Sequence, residues 1–483
     1  MVWLDTVPPG LWFDEARNID QFAALLRGEY RLEFFDQEPL YVVFLALGFA
    51  AKGLTVDGLR LSSAIAGILT IPLVYYCVLP MFGRRTARWT TFVLAVLPWH
   101  IIYSRIGFRA VTAPLMQVIC IGLLFRALHT GTIRHYVLLA AALIAGMFSY
   151  LPFLVTPVVL AGYAWLRLRE SANAATRAHH VQRLLMCAAV VAGTFFPATH
   201  ILHKTAGGAI AHSRVTEEGN YLPGQWLTSN GPPANLLRTA GMFIWRGDAN
   251  PRHNAPGNAQ IPRALYPFLL VGILCELRAR RSRSWLVLGW FATGLLPTIF
   301  SADCPHATRA LCAAIPACVL ISRGGMAVYD WMWRRVRTLN SRRVLNCTPW
   351  FVAACLASWN AYQYFTIYGN SYAVWESFQS ASVEAAHKVA GLPRNSVILQ
   401  DPFENGSYSF EVLTRLAGLD VRPLRSPADL VALAPVPPQP FYYIIVGRDR
   451  FGSEFLQKYP GSVRRQLFTD PTGRPIGALF RVR

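Results

Sequence analysis

Two acidic residues near the N-terminus, Asp14 and Glu15, follow directly on Leu11-Trp12-Phe13. A second acidic group, Asp36-Gln37-Glu38-Pro39-Leu40, follows Phe34-Phe35. Aromatic residues gather at membrane interfaces. A carboxylate held there is partly desolvated, which strengthens it as a general base toward a hydroxyl. Neighbouring residues of a helix point about 100° apart, so Asp14 and Glu15 cannot both aim at one atom. One would be the base and the other a supporting hydrogen-bond partner. Acids at a helix N-terminus also complement its dipole, and spacing alone leaves that role open. Arg105, Arg109, Arg246, Arg252 and Arg309 form a second group, with His253 and His306 near two of them. A guanidinium grips a phosphate or pyrophosphate bidentately; an arginine at a lipid boundary also snorkels to anionic headgroups. For Arg263, at a helix start, headgroup contact is the expectation. Glu38, Arg246, Asp248 and His306 are further candidates for substrate contact. The two histidines have no third metal ligand at a recognisable spacing, so no metal site is expected from them; no cofactor is expected, with a divalent metal left open.

These residues need elements to hold them, and composition names the class. Of 483 residues, 53% are hydrophobic and only 15% charged, against about 25% charged in a soluble protein. Long apolar runs recur between arginine clusters: Arg84, Arg85 and Arg88; Arg126 and Arg134; Arg167, Arg169, Arg177 and Arg183; Arg278, Arg280, Arg281 and Arg283; and the group from Arg334 to Arg343. Cytoplasmic loops retain Lys and Arg, so these clusters mark the inside. The net charge of +20 then follows from membrane topology and does not call for nucleic acid. The nine cysteines form no CxxC pair and read as small buried residues. The expected fold is a polytopic α-helical membrane protein with about ten transmembrane helices. These are 60–82, 89–104, 111–128, a hairpin over 136–166, 184–203, 263–277, 285–300, 309–328 and 344–364. An external loop spans about 204–262. Arg105, Arg109, Arg246, Arg252 and Arg309 then fall on the outer face, against the charge rule.

The apolar run of Pro39–Gly53 is shorter than the roughly 20 residues a span needs. A span there would also put every arginine cluster outside. It reads as a juxtamembrane helix within an external loop, 1–59. The N-terminal residues have neither the basic region nor the apolar core of a cleavable signal peptide. An external first loop needs anchoring: either an apolar helix precedes residue 1, which is the expectation, or the N-terminus is translocated unaided. The core module is 60–364. The tail, 365–483, differs in character. Ser396–Gln400, Phe441–Val446 and Gly477–Val482 read as strands, and 375–390 and Ser426–Ala434 as helices. The second helix has Ser426 as N-cap and Asp429 three residues on. The tail is expected to be a small extracytoplasmic α/β domain, with Pro435–Pro440 as a loop.

Several segments in order resemble one family. They are Leu11-Trp12-Phe13-Asp14-Glu15-Ala16, Glu38-Pro39-Leu40, Leu59-Arg60-Leu61 and Phe82-Gly83-Arg84-Arg85. Then follow Pro98-Trp99-His100-Ile101-Ile102-Tyr103-Ser104-Arg105, Phe243-Ile244-Trp245-Arg246-Gly247-Asp248-Ala249-Asn250 and Pro305-His306-Ala307-Thr308-Arg309. Together, over about residues 1–330, the set resembles the GT-C superfamily, most nearly glycosyltransferase family 39, the dolichyl-phosphate-mannose–protein mannosyltransferases and their bacterial relatives. The resemblance implies a lipid-linked sugar phosphate as donor, sugar transfer on the outer face with inversion, and a catalytic aspartate that maps to Asp14. Many members carry a Lys before the Pro of the second motif, near the donor phosphate. Here that residue is Glu38, which shifts phosphate binding to Arg105, Arg109 or Arg309.

Physical logic runs the same way. A polyprenyl chain stays in the bilayer, so its phosphate is met at the interface. Arginines there stabilise the leaving phosphate. An acceptor hydroxyl needs a carboxylate base, and direct displacement needs only one. The expected function is therefore a membrane glycosyltransferase of the plasma membrane. Its partners would be a polyprenyl-phosphate sugar, the bilayer and an acceptor protein, lipid or glycan. A transporter or flippase of lipid-linked sugars would share the lipid partner but should show inverted repeats and broken mid-membrane helices, and neither is visible. A non-catalytic scaffold that uses its tail is the third reading.

Overall fold

The computed structural model describes residues 3–29, 39–205, 231–336, 338–401, 407–432, 439–447 and 449–482. The described chain forms two compact units. The larger takes the chain from Arg60 to Thr366 together with residues 39–50. The other joins the N-terminal residues and Ala51–Leu59 to the chain from Ile367 onward.

The larger unit is helical. Its elements are α2 (Pro39–Lys52), α3 (Val56–Val96, most of which lies here), α4 (Pro98–Arg105), α5 (Thr112–Thr130), α6 (Ile133–Met147), α7 (Thr156–Glu170), α8 (Ala174–Thr205), α9 (Pro232–Gly241), α10 (Tyr266–Ala279), α11 (Ser282–Ile299), α12 (Ala314–Arg335) and α13 (Leu339–Tyr362). Five helical segments among the described residues are long and apolar enough to cross a membrane: Val56–Val96, Arg109–Thr130, Leu151–Glu170, Ala174–His200 and Leu311–Arg335. The first is interrupted at Gly83, whose φ of 81° and ψ of 171° break the ladder beside Arg84. The expected helix over 89–104 is itself divided. Leu97 is extended because it precedes Pro98, and a residue before proline avoids the helical region. The stretch 136–166 is a hairpin of α6 and α7 joined through Leu151–Val155.

Many large apolar side chains point outward, among them Leu69, Val137, Val158, Trp165, Leu185, Phe196, Trp350 and Phe351. Hydrocarbon satisfies such faces, whereas water does not. Packing among the helices depends on small residues, as expected where lipid removes the hydrophobic drive. At the contact of α10 with α12, a Cβ on Gly272 would lie 1.9 Å from the Leu320 carbonyl oxygen. One on Gly324 would lie 1.9 Å from that of Phe268.

The second unit holds a five-stranded sheet: β1 (Val397–Gln400), β2 (Asp420–Pro423), β3 (Phe441–Val446), β4 (Val463–Thr469) and β5 (Pro475–Arg481). The order is β2-β1-β3-β5-β4, parallel over the first three and antiparallel around β5. β3 is buried along its whole length. Alternation of side chains across the pleat sends Tyr442, Ile444 and Val446 into one core with Phe410 and Val389. Phe441, Tyr443 and Ile445 enter the other with Phe455. β1, β3 and β5 lie on the three segments read as strands from sequence. The helix expected over 375–390 is two, α14 (Tyr372–Ser377) and α15 (Ser380–Val389). They part at Phe378, whose carbonyl accepts the Leu11 N–H at 2.8 Å. Gly10 permits that approach: its φ is +76°, and a Cβ there would lie 2.3 Å from the same oxygen. Around α17 (Pro427–Ala432), the Ser426 hydroxyl accepts from Asp429 N and Asp429 accepts from Ser426 N at 2.9 Å, a reciprocal cap.

α1 (Phe13–Leu26) belongs to this unit. It packs on α16 (Ser407–Leu416), where Asp20 accepts from Tyr408 Oη at 2.8 Å and from Arg415 Nη2 at 2.7 Å. The first segment, set apart at 1–59 in the sequence reading, thus shares a core with the tail through residues 3–29.

Candidate functional site

α1 opens at Trp12, which is extended, and places Asp14 and Glu15 in its first turn. The rotation between neighbours separates their fates. Glu15 is fully buried, and its carboxylate accepts the Trp12 backbone N–H at 3.4 Å. That is half of a capping box, so Glu15 serves the fold of the turn. Asp14 is half-buried and has no hydrogen-bond or ion-pair partner among the described residues. Glu38 lies outside the described residues.

In the helical unit, three chain segments converge. α4 contributes Trp99 and Tyr103, both buried. Trp99 Nε1 donates to the Ala307 carbonyl at 3.2 Å, and Tyr103 Oη pairs with Thr308 Oγ1 at 2.5 Å. The Tyr103 ring also stacks against His253 at 6.1 Å. The segment 242–262 contributes Asp248 and His253, and the segment after α11 contributes His306 and Arg309. Asp248 Oδ2 accepts from His253 Nδ1 at 2.8 Å and from Ala307 N at 2.7 Å; Oδ1 accepts from Asn250 N at 2.8 Å. His306 Nδ1 stands 3.9 Å from the same Oδ2, with the two imidazoles 4.9 Å apart.

Electrostatics follow from this enclosure. Burial pushes the Asp248 carboxyl up, but the His253 hydrogen bond, the two nearby histidines and the Asn250 N–H outweigh it and hold the group below the usual carboxylate range. Burial, then the neighbouring His253, hold His306 well below the ordinary imidazole range, and Arg309 and Arg252 add to the depression against the pull of Asp248. At neutral pH the site therefore holds a carboxylate beside an uncharged His306 imidazole.

The predicted arginines divide. Arg105, at the end of α4, donates from Nε to Tyr364 Oη at 3.2 Å and lies over the rings of Tyr364 and Phe365. Arg309 donates from Nη1 to Ser301 Oγ. These two stand on segments tied together by the Tyr103–Thr308 bond. Arg109 opens the short turn Arg109–Val111, with its guanidinium over the Phe108 ring at 5.2 Å. Arg246 is exposed. Arg263, exposed, donates to the Ile244 and Trp245 carbonyls at 3.0 and 2.9 Å and closes its own loop.

No protein-family model and no curated protein sequence matches the chain. Solved structures do. ArnT from Cupriavidus metallidurans in the apo state aligns with a TM-score of 0.59 at 14% identity, over 99% of this chain and 94% of that one. ArnT bound to undecaprenyl phosphate gives 0.61 at 12%, over 99% and 96%. The chain shares the fold of these ArnT structures. The archaeal oligosaccharyltransferase AglB from Archaeoglobus fulgidus, in complex with an inhibitory peptide and a dolichol-phosphate, gives 0.48 at 14%, over 84% and 60%. With its apolar helices, the chain is a multi-pass membrane protein.

Within this fold, the sequence reading overlooked that Asp248 joins the two histidines. Asp248, His253 and His306 form a three-residue group able to hold a metal ion, their ligand atoms all within 4.8 Å of one another. The expectation of no third ligand failed because it counted spacing along the chain. Arg60, quoted only as part of a motif, is fully buried in α3. A charge there persists only when paired.

Proposed function

We propose that this protein is an integral-membrane glycosyltransferase that moves a sugar from a polyprenyl-phosphate donor to a hydroxyl acceptor on the extracytoplasmic face. The observation that carries this reading is the alignment of nearly the whole chain with an ArnT structure bound to undecaprenyl phosphate. In the proposed reaction Asp14 takes the proton of the acceptor hydroxyl as its oxygen attacks the anomeric carbon. The bond to the donor phosphate breaks on the opposite side, so the anomeric centre inverts and the lipid phosphate leaves. Arg105 and Arg309, with Arg109, would meet that phosphate, where each charge-assisted bond tells most as negative charge develops. Asp14 is half-exposed and unpaired among the described residues, which supports its role. Hydrogen bonds already made by Arg105 and Arg309 support a fixed orientation, which costs little to maintain during reaction. The proposed topology has about ten spans in the plasma membrane, with the site and the sheet-bearing tail outside, as the arginine clusters demand.

The test is transfer by the full chain in proteoliposomes. Radiolabelled polyprenyl-phosphate sugars are supplied with lipid and peptide acceptors, and label is followed into the acceptor with its anomeric configuration. Inverted product supports the reading. Retained configuration would remove the single-displacement mechanism. Transbilayer movement of donor without transfer would replace the enzyme by a transporter.

A further inference from the structure

We infer that Asp248, His253 and His306 form a binding site for a divalent transition metal of the zinc class. The inference rests on these residues and is independent of glycosyl transfer. The first reason is an orphan. His306 Nδ1 is buried and has no hydrogen-bond partner among the described residues, being 3.9 Å from Asp248 Oδ2. A buried polar nitrogen left so costs free energy that a ligand at that point would recover. The second is spacing. Ligands about 2.0–2.1 Å from a tetrahedral zinc lie about 3.3 Å from one another. The two separations here, 2.8 Å from Asp248 Oδ2 to His253 Nδ1 and 3.9 Å to His306 Nδ1, bracket that value. A small closure of His306 and a small opening of His253 would make both equal.

The donor set chooses the metal. Two imidazoles and one carboxylate suit zinc and its transition neighbours. Calcium takes six to eight oxygens and magnesium an octahedron of them, and this group offers neither. Three protein ligands leave a fourth position for water or another ligand. Outer contacts are in place to hold the carboxylate: Ala307 N on Oδ2 and Asn250 N on Oδ1. On binding, His253 would exchange its Nδ1–H bond to Asp248 for coordination, with the remaining ring proton on Nε2. The metal would pin the 248–253 segment to the one that carries Thr308 and Arg309.

The test uses tag-free full-length protein in detergent. Near-stoichiometric zinc should survive gel filtration. After chelation, added Co2+ should give the visible bands of a tetrahedral site. His306→Ala and Asp248→Asn should weaken Co2+ binding by at least the roughly 10–100-fold that loss of an outer-shell partner costs. Should His306→Ala fail to fold, His306→Cys decides. A folded, monodisperse thiolate variant that binds Co2+ with a new sulfur charge-transfer band supports the site, and one that binds none refutes it. Zinc that washes away from the wild-type chain, Co2+ without tetrahedral bands, or the same bands in His306→Ala would each overturn the inference.

Discussion

Asp14→Asn separates catalysis from structure with one substitution. Asn keeps the size and the hydrogen-bonding shape but accepts no proton. Asp14 stands in the first turn of α1, half-buried, and holds no partner among the described residues. Its loss therefore breaks no bond that the structure shows. What remains is its favourable place near the helix N-terminus, worth about 0.3–1 kcal/mol. A general base contributes roughly 10²–10⁴ in rate, which at 1.36 kcal/mol per decade is about 2.7–5.5 kcal/mol. The two roles thus differ by decades in turnover. The assay is single-turnover sugar transfer from a radiolabelled polyprenyl-phosphate donor in proteoliposomes, with protein level and donor binding measured in parallel. We expect transfer to fall by two to four orders of magnitude while donor binding holds. Glu15→Gln is the control. Glu15 caps the Trp12 N–H from a fully buried position, so its loss should cost about 1 kcal/mol of stability and leave the folded fraction active. Near-normal transfer by Asp14→Asn would refute the base assignment.

Arg105→Ala and Arg309→Ala should each weaken donor use by about 1.5–3 kcal/mol, or ten- to a hundredfold, whereas Arg281→Ala should not. Unchanged donor affinity in both outward variants would leave these arginines to their Tyr364 and Ser301 contacts alone. In a chain otherwise free of cysteine, Thr472→Cys should label from outside intact cells, and Asn173→Cys and Ser341→Cys should not, all three positions being exposed. Labelling of Thr472→Cys from the cytoplasm only would reverse the topology. Gly272→Ala should destabilise by about 1–3 kcal/mol, because its methyl meets the Leu320 backbone; a detergent melting curve equal to wild type would show that α10 and α12 do not approach so closely.

Local chemistry was legible where a residue acts through its immediate neighbours. Gly83 interrupts the ladder where the span read as 60–82 ends, whereas Pro98 divides the helix read as continuous over 89–104, a break that the rule for the residue before proline places. Ser426 and Asp429 capped a helix as their spacing implied. The run Phe441–Val446 gave a strand, and its burial on both faces is what a sequence without polar alternation should give. Glu15 was half legible: the 100° rule sent the two carboxylates in different directions, but only the structure shows that Glu15 is the buried one and bonds the Trp12 N–H. The break at Phe378 was illegible in its own segment: Gln379 beside it is left-handed, with φ 55°, and the Phe378 carbonyl accepts from Leu11, far away in sequence.

The Asp248–His306 contact is the instructive failure. Two helices, α10 and α11, separate these residues, and spacing rules built on a single loop cannot see across them. Yet α10 and α11 are joined by only Arg280 and Arg281 and pack on one another. A helical hairpin returns the chain to the side it left, so the polar segment before Tyr266 and the one after Ile299 must emerge at the same end. His253 and Asp248 precede the hairpin, His306 and Arg309 follow it, and the arginine turn lies at the far end, which the charge rule reads as cytoplasmic. Topology therefore already contained the juxtaposition. In a multi-pass chain, ligand sets are better sought among residues that share a membrane face than among residues that share a loop.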